Sequence, residues 1–371
     1  MNPLELARPE IRALQPYASA RLEACGGSIP LNANESPWPP FACAEDWNRY
    51  PDPQPAALAA CLANTCGVAV DQLLIGRGSD EGIDLLVRAF CAAGRDAILV
   101  SPPTFGMYAI CARVQGADVV DAPLRDDFSL DVDAVLAAVT PAVKLVFVCA
   151  PNNPVGAGVA RTTILRLAEA LAGRALLVVD EAYVEFVDPD SEFASVADRI
   201  GVIPNLVVLR TLSKAWAMAG IRLGMLLADA RVVALLRKLM PPYPVPAPCV
   251  GVAMNALSRD GRRVTAERVG TIRRERDRMR GAVATFRCVR EVLPSQANFL
   301  AVRFDAPDAA YAALLDAGVL VRDVRRYPML ADVLRISLGT PEQNDRVLAV
   351  LRSLDGMRTG SRPEARTELP A

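Results

Sequence analysis

Short, continuous apolar runs alternate in the first part of the chain with longer segments whose apolar positions recur at helical spacing. The continuous runs predict strands at 97–103, 117–124, 144–151, 175–183, 205–213 and 224–229. The segments with helical spacing predict helices at 80–93, 105–116, 130–139 and 161–173. Strands without polar alternation are typical of a sheet covered on both faces. Because helices separate the strands, the pattern predicts a mostly parallel α/β sheet.

The pattern changes near residue 240, where the proline-rich segment PPYPVPAP interrupts it. An arginine-rich helical segment follows at 262–286, and strand-like segments follow at 297–304, 318–324 and 334–339. We therefore predict a large domain over 41–245 and a smaller α+β domain over 246–355.

The two ends of the chain differ in composition from these domains. Residues 1–40 are rich in proline and small residues, and they predict an extended arm with one short helix that packs with the small domain. The polar segment 356–371 predicts a disordered tail.

Composition and charge narrow the class of protein. Of the 371 residues 52% are hydrophobic and 22% are charged, which excludes global disorder. A formal net charge of −1 argues against a general nucleic-acid or anionic-membrane binder. No apolar run approaches the roughly 18 residues that a membrane span needs, and the first residues lack the apolar stretch of a signal peptide. We predict a cytoplasmic protein without nucleic-acid or membrane partners.

Rare residue types limit the chemistry further. The chain contains no histidine, which excludes Ser-His-Asp hydrolysis and histidine-liganded zinc. Its lysines are Lys144, Lys214 and Lys238 alone. The nine cysteines are scattered without a C-x-x-C pair, so we expect reduced thiols and no metal site.

Polar residues follow four of the predicted elements. In an open parallel sheet, ligands bind beyond the carboxyl ends of the strands. At such ends, Asn153 offers an amide, and Asp180 with Tyr183 offers a carboxylate and a phenol. Lys214 offers an amine, and residues 76–80 form a glycine-rich turn.

This combination matches the needs of pyridoxal 5′-phosphate (PLP). Its aldehyde needs an amine, which Lys214 offers. Its ring nitrogen needs a carboxylate such as Asp180 to stay protonated. Asn153 and Tyr183 can serve its phenolic oxygen. A helix N-terminus with hydroxyls and a cation suits its phosphate, and the candidates are Gly78, Ser79, Asp80, Ser213 and Arg222.

Taken singly, each residue also has a simple structural interpretation. Lys144 and Lys238 have the context of solvated charges, and Lys214 alone could be another. An aspartate at a strand end often only caps the next turn. The order of these residues and their shared position at strand ends favour the functional interpretation.

Longer motifs point to a family. They are PYASAR (16–21), LNANESPWPP (31–40), RYPDP (49–53), GRGSDEGIDLLVRAF (76–90), SPPTFGMY (101–108), APNNPVG (150–156), VVDEAYVEF (178–186), LRTLSKAWAMAGIRLG (209–224), QANFL (296–300) and LRISLGT (334–340). With them the chain resembles the fold-type-I PLP-dependent aminotransferases, and within these the histidinol-phosphate aminotransferase family. The resemblance extends to about residue 355.

The resemblance implies roles for these residues. Lys214 would be the Schiff-base lysine and proton shuttle, and Asp180 the partner of the ring nitrogen. Asn153 and Tyr183 would hold the phenolic oxygen, and Phe105 would stack on the ring. The phosphate would lie among Gly78, Ser79, Asp80, Ser213 and Arg222.

Other implied roles concern the substrate and a second subunit. Tyr50 would reach the cofactor phosphate of the partner subunit, which makes the active site a property of a homodimer. Tyr17, Arg322 and Arg335 would bind the anionic end of the substrate. Asn34 would lie in an arm that closes over the site.

The implied reaction is transamination of L-histidinol phosphate with 2-oxoglutarate, giving imidazole acetol phosphate and L-glutamate in histidine biosynthesis. Aromatic amino-acid aminotransferases and threonine-phosphate decarboxylases of the same fold are alternatives. A dinucleotide-binding oxidoreductase is disfavoured because glycines 76, 78 and 82 miss the G-x-G-x-x-G spacing. A non-catalytic module of this fold is disfavoured by the lysine.

Three positions depart from the family pattern. Phe105 stands where tyrosine is frequent, which keeps the ring but removes the hydroxyl. Ala150 and Val155 replace an asparagine and a threonine beside Asn153. The resemblance also suggests a cis peptide bond between Asn153 and Pro154.

Overall fold

The computed structural model describes residues 2–16, 31–41 and 46–359. Its helices are α1 (Pro9–Ala13), α2 (Ala56–Cys66), α3 (Ser79–Phe90), α4 (Met107–Gln115), α5 (Val132–Ala138), α6 (Arg161–Ala170), α7 (Ala230–Arg237), α8 (Ala247–Ala256), α9 (Arg259–Val283), α10 (Pro307–Asp316) and α11 (Pro341–Thr359). Its strands are β1 (Leu73–Gly76), β2 (Ala97–Val100), β3 (Asp118–Asp121), β4 (Val143–Cys149), β5 (Leu176–Asp180), β6 (Leu206–Thr211), β7 (Gly224–Ala228), β8 (Val289–Val292), β9 (Phe299–Phe304), β10 (Arg322–Asp323) and β11 (Val333–Ser337).

The larger sheet has seven strands in the order β1-β7-β6-β5-β4-β2-β3. Pairing is parallel from β6 through β5, β4 and β2 to β3, which confirms the mostly parallel sheet. Strand β7 pairs antiparallel with both β6 and β1. The segment between β6 and β7 contains only a short 3₁₀ helix, Ala219–Ile221, and a parallel return needs a longer crossover.

Both faces of this sheet are covered, as the uninterrupted apolar strands predict. Alternate side chains of β4 enter two separate clusters, with Val146 and Val148 in one and Leu145 and Phe147 in the other. Because helices cover both faces, the polar ends of the strands are where a ligand can reach the sheet.

The smaller sheet is antiparallel, in the order β10-β11-β9-β8. Met279 and Val283 of α9 and Leu314 of α10 pack in one cluster with Val302 of β9 and Leu334 of β11. The strand expected over 318–324 is reduced to Arg322–Asp323.

Residues 2–16 of the N-terminal arm differ from the prediction. Residues 2–16 contain a 3₁₀ helix, Pro3–Leu6, in addition to α1. Ala7 is buried in a core cluster of the large sheet, and the Arg8 amide donates to the Ala89 carbonyl of α3. This part of the arm therefore packs on the large sheet and not with the small domain, because its apolar side chains find partners there.

The boundaries near the domain junction and the C-terminus remain predictions, but two features bear on them. Helix α8 lies after the proposed boundary at 245, yet its Ala253 belongs to a core cluster of the large sheet. Helix α11 continues to Thr359, past the proposed start of the tail at 356, and residues 360–371 lie outside the described part.

Among the described residues, no helix combines the length and the apolar character needed to cross a membrane.

Candidate active site

A cavity of about 330 Å³ lies at the edge of the large sheet where β4, β5 and β6 end. Predicted site residues contribute most of its lining: Gly78, Ser79, Asp80, Phe105, Asn153, Asp180, Tyr183, Ser213, Lys214, Arg222, Arg322 and Arg335. The fold therefore brings together residues separated by more than two hundred positions in the chain.

Two predicted residues that the structure describes line another cavity. Asn34 and Tyr50 line a different cavity, where the Tyr50 ring stacks on Tyr243 with centroids 4.3 Å apart. Tyr17 lies outside the described residues. The segment that carries Tyr50 thus does not complete the site of its own chain.

Asp180 ends β5 and is only 2% exposed. Its Oδ2 accepts a hydrogen bond from the Tyr108 hydroxyl at 2.7 Å, and its Oδ1 accepts one from the Ala182 amide at 3.1 Å. Burial raises the pKa of this carboxyl to about 6, although both hydrogen bonds act in the opposite direction. At neutral pH the group is therefore mostly ionised and can pair with a ring nitrogen.

Lys214 lies in the loop after β6 and is accessible from the cavity. Its Nζ is 5.6 Å from the centroid of the Tyr183 ring. Partial burial of the amine lowers its pKa, and the positive charge of Arg335 lowers it further. The amine therefore loses its proton more readily than a solvated lysine, as a nucleophile or a general base requires.

Asn153 connects two other site residues. Its Nδ2 donates to the Tyr183 hydroxyl at 3.2 Å, and its Oδ1 accepts a hydrogen bond from Arg335. The Asn153–Pro154 peptide bond is cis, as the sequence suggested. Burial raises the pKa of Tyr183, so its hydroxyl stays protonated and can donate.

The turn after β1 forms a cradle with the loop that carries Arg222. Gly78 has a φ of +86° and precedes the first residue of α3. A Cβ atom at Gly78 would lie 2.8 Å from Arg222 Nη2. Arg222 donates to Asp80 at 3.2 Å and to Ser213 at 3.5 Å. A helix N-terminus beside hydroxyls and a guanidinium is a site for a phosphate.

Two arginines project from neighbouring strands of the small sheet. Arg322 of β10 is paired in register with Arg335 of β11. The Arg335 guanidinium lies 5.1 Å from the centroid of the Phe299 ring, and its buried Nε has no hydrogen-bond partner among the described residues. Burial lowers the pKa of Arg335. No carboxylate in the described ranges forms an ion pair with either arginine, so both can bind an anion.

Sequence reasoning missed several residues of this site. Cys149, Thr211, Val324 and Tyr327 line the cavity, and Tyr108 lies behind it against Asp180. Tyr108 follows Phe105 by three residues, and this helical spacing was the available signal. Thr211 Oγ1 accepts a hydrogen bond from the Ser213 amide at 3.1 Å and so shapes the loop that carries Lys214.

The departures from the family pattern leave this arrangement intact. Val155 is fully buried and packs in an apolar cluster with Leu293 and Ala301. An apolar side chain fits this environment, because an unpaired hydroxyl there would lose its hydrogen bonds to water.

The donor set fits PLP. Asp180 suits its ring nitrogen, the Tyr183 and Asn153 pair suits its phenolic oxygen, and Lys214 suits its aldehyde. Gly78 allows the Arg222 guanidinium to lie close to the N-terminus of α3, where a phosphate would bind.

Comparison with known proteins agrees with this assignment. Residues 31–351 match the family model for aminotransferase class I and II. The histidinol-phosphate aminotransferase of Xanthomonas euvesicatoria pv. vesicatoria is 53% identical over 354 residues, covering 94% of this chain and 96% of the relative. That of Xylella fastidiosa strain Temecula1 is 52% identical over 359 residues, covering 95% and 97%.

A solved structure gives the same result. The crystal structure of histidinol-phosphate aminotransferase from Sinorhizobium meliloti in complex with pyridoxal-5′-phosphate matches with a TM-score of 0.74 and 28% identity, over 83% of this chain and 84% of the other. The site geometry, the family model and the nearly full-length identity lead to one conclusion: this chain belongs to the PLP-dependent class I and II aminotransferases, in the branch of the histidinol-phosphate aminotransferases.

Proposed function

We propose that this enzyme transfers the amino group of L-histidinol phosphate to 2-oxoglutarate, giving imidazole acetol phosphate and L-glutamate in histidine biosynthesis. The observation that carries the proposal is one cavity that combines Lys214, whose pKa is lowered, with the arginine pair Arg322 and Arg335. The amine suits chemistry at an amino carbon, and the arginines suit an anionic substrate.

The residues of the cavity would hold PLP by its separate groups. Asp180 would bind the ring nitrogen, Asn153 and Tyr183 the phenolic oxygen, and Phe105 the ring face. The phosphate would be held by Gly78, Ser79, Asp80, Ser213 and Arg222. When bound, PLP supplies an aldehyde that reacts with amines and a protonated ring that accepts an electron pair.

Lys214 moves the proton of the reaction. Its Nζ accepts the proton from the α-carbon of the substrate and returns it at the next stage. A lowered pKa favours the neutral amine that this step requires. Arg335 contributes to the lowered pKa of Lys214, because its positive charge disfavours the ammonium form of that side chain.

Asp180, at the end of β5, is mostly ionised at neutral pH. The Tyr108 hydroxyl and the Ala182 amide both stabilise the carboxylate. An ionised Asp180 would hold a proton on the ring nitrogen of PLP.

Arg322 and Arg335 orient the substrate by its anionic end. A guanidinium forms paired hydrogen bonds with phosphate and with carboxylate, so the same two residues can serve histidinol phosphate and then 2-oxoglutarate. Arg335 also donates to Asn153, which connects the substrate side of the cavity with Tyr183.

The first test is a single half-reaction. The purified PLP-loaded protein is mixed, without an oxo acid, with L-histidinol phosphate, L-phenylalanine or O-phospho-L-threonine, and the visible absorbance is followed. We expect rapid bleaching at low concentration with histidinol phosphate alone. Equal bleaching by phenylalanine would instead indicate a broader aromatic aminotransferase, and release of CO₂ from phosphothreonine would indicate a decarboxylase.

We also propose that the enzyme is a cytoplasmic homodimer whose partner supplies Tyr50 to the site. The segment 31–50 carries large apolar side chains that are exposed in the single chain: Leu31 (81%), Trp38 (74%), Phe41 (102%) and Trp47 (51%). A cluster of exposed apolar residues is typical of an interaction surface. Light scattering during size-exclusion chromatography tests the dimer, and a monomeric mass at micromolar concentration would contradict it.

A further inference from the structure

Tyr108 lies behind the active-site cavity and is completely buried. Its hydroxyl donates to Asp180 Oδ2 at 2.7 Å. We propose that Tyr108 is a positioning residue, which fixes the Asp180 carboxylate in the orientation and charge state that the ring nitrogen of PLP requires. The inference rests on the proposed PLP chemistry of this site and adds a residue that the sequence motifs did not assign to it.

The ring of Tyr108 is held firmly. It stacks on Phe147 of β4, with centroids 4.6 Å apart and planes inclined by 14°. Phe105 contacts it edge-on, with centroids 5.6 Å apart and an angle of 83°. Since both rings limit its movement, the hydroxyl stays aimed at Asp180.

This arrangement connects two sides of the cofactor site. Phe105 lines the cavity, where it would contact the ring face of PLP, and Tyr108 lies three residues later on α4. The segment 105–108, which leads into α4, therefore positions a stacking group and a hydrogen-bond donor together.

The Tyr108 hydroxyl helps to keep the Asp180 carboxyl group ionised. Among the described residues, the Tyr108 hydroxyl and the Ala182 amide donate to the carboxylate, whereas burial opposes the charge. The titratable groups that face it from the packed elements are Asp80 of α3, Tyr108 of α4, Cys149 of β4, Glu181 and Tyr183 after β5, and Lys214 after β6.

Removal of the Tyr108 hydroxyl should change the basicity of Asp180 in a defined direction. Without it the carboxylate becomes more basic, and the proton that it shares with the ring nitrogen moves toward Asp180. The ring then carries less positive charge and accepts electrons less well. For the loss of one hydrogen bond to a charged group, we expect kcat to fall by about 10-fold or more while KM changes by less than about 2-fold.

The test uses Tyr108→Phe in the full-length enzyme, with readouts that go beyond turnover. We expect the PLP dissociation constant of the apoenzyme to rise by about 10-fold. We also expect the pH midpoint of the visible absorbance of the loaded enzyme to move upward. Tyr311→Phe, which removes a hydroxyl from α10 in the small domain, should leave both values unchanged.

A second variant separates positioning from packing. Phe147→Leu removes the stacked ring but leaves the hydroxyl and the carboxylate in place. It should lower the melting temperature and shift the absorbance midpoint less than Tyr108→Phe does, because the hydroxyl can still donate to Asp180. The same shift in both variants, or an unchanged kcat, PLP affinity and absorbance midpoint in Tyr108→Phe, would overturn the proposal.

Failure of the proposed substrate would look different. If the wild-type enzyme binds PLP but is not bleached by histidinol phosphate, the substrate assignment fails. In that case the shift of the absorbance midpoint in Tyr108→Phe still decides the role of Tyr108.

Discussion

Individual residues of this enzyme owe their chemistry to burial and to their immediate neighbours. Asp180 and Lys214 have opposite charges, but burial disfavours the charged form of each. The pKa of the carboxyl therefore rises and that of the amine falls. This difference from solvated side chains leads to two predictions at the scale of the residue.

Replacing Lys214 by alanine should abolish turnover. Loss of the proton acceptor and of the amine should reduce kcat by about 10²–10⁴-fold or more. Lys238→Ala is the matched control, because Lys238 lies at the end of α7 and its Nζ donates to the Arg12 carbonyl, away from the cavity. Steady-state rates with histidinol phosphate would measure the effect, and near-wild-type activity of Lys214→Ala would refute the mechanism.

Asp180 should make the stability of the apoenzyme depend on pH. Its pKa rises from the ordinary 3.8 to about 6 on folding, so the folded state binds this proton more tightly than the unfolded state. Its contribution to stability is therefore greatest below pH 4 and is lost as the pH rises through 6. We expect a loss of about 2–3 kcal/mol over this range.

The variant Asp180→Asn isolates this contribution. Denaturant unfolding of both apoenzymes at pH 4.5 and pH 7.5 gives the difference in unfolding free energy at each pH. Relative to the wild type, the unfolding free energy of the variant should rise as the pH rises. A difference that is the same at both pH values would exclude an elevated pKa at Asp180.

At the scale of the element, the close contact between the turn after β1 and the strand beside it shapes the phosphate cradle. Gly224 opens β7, and a Cβ atom there would lie 2.4 Å from the Ser79 amide nitrogen. Gly78 has a positive φ and lies against Arg222. A side chain at Gly224 would meet backbone atoms of Gly78 and Ser79, and one at Gly78 would meet the Arg222 guanidinium.

Replacement of Gly78 by alanine should therefore weaken PLP binding. Strain at φ +86° and the contact with Arg222 should raise the PLP dissociation constant by about 10–100-fold. Gly281→Ala is the control, since Gly281 lies in α9 with open space around its Cα. It should leave PLP affinity unchanged and raise the unfolding free energy by about 0.5–1 kcal/mol.

Fluorescence titration of each apoenzyme with PLP would measure the dissociation constants. If Gly78→Ala binds PLP as tightly as the wild type, the cradle does not hold the phosphate.

At the scale of the whole molecule, the single chain leaves its proposed site incomplete. Tyr50 lies in another cavity and stacks on Tyr243, although the family resemblance assigns it to a cofactor phosphate. A second subunit that supplies Tyr50 would reconcile these observations, and it would also cover the exposed aromatic residues of segment 31–50.

Hybrid dimers test this arrangement. Lys214→Ala and Tyr50→Ala should each be impaired alone, and co-expression should restore activity. In a hybrid, one site then has an intact Lys214 and an intact Tyr50, so roughly one quarter of wild-type activity is expected from random pairing. If each chain supplied its own Tyr50, mixing would restore nothing above the two variants.

Much of the site was predictable from the sequence, because chemistry confines certain residue types to strand ends. The alternation of apolar strands with helices predicted the parallel sheet, and the motifs at Asn153, Asp180 and Lys214 indicated one cavity. The direction of β7 was not predictable from its apolar run, since β-strand periodicity is the same in either direction. The packing of residues 2–16 was also missed, because an apolar arm does not specify its partner.

By itself the sequence determined the fold class, the family and the identity of the reactive groups. These are encoded locally, in periodicity and in short motifs that recur at fixed places in the fold. Only the tertiary structure decided the contacts between distant segments: the Tyr108 hydroxyl against Asp180, Arg335 against Asn153, and Arg222 against Gly78. Such contacts set orientation, pKa and room for a ligand, which depend on distances that one-dimensional spacing does not contain.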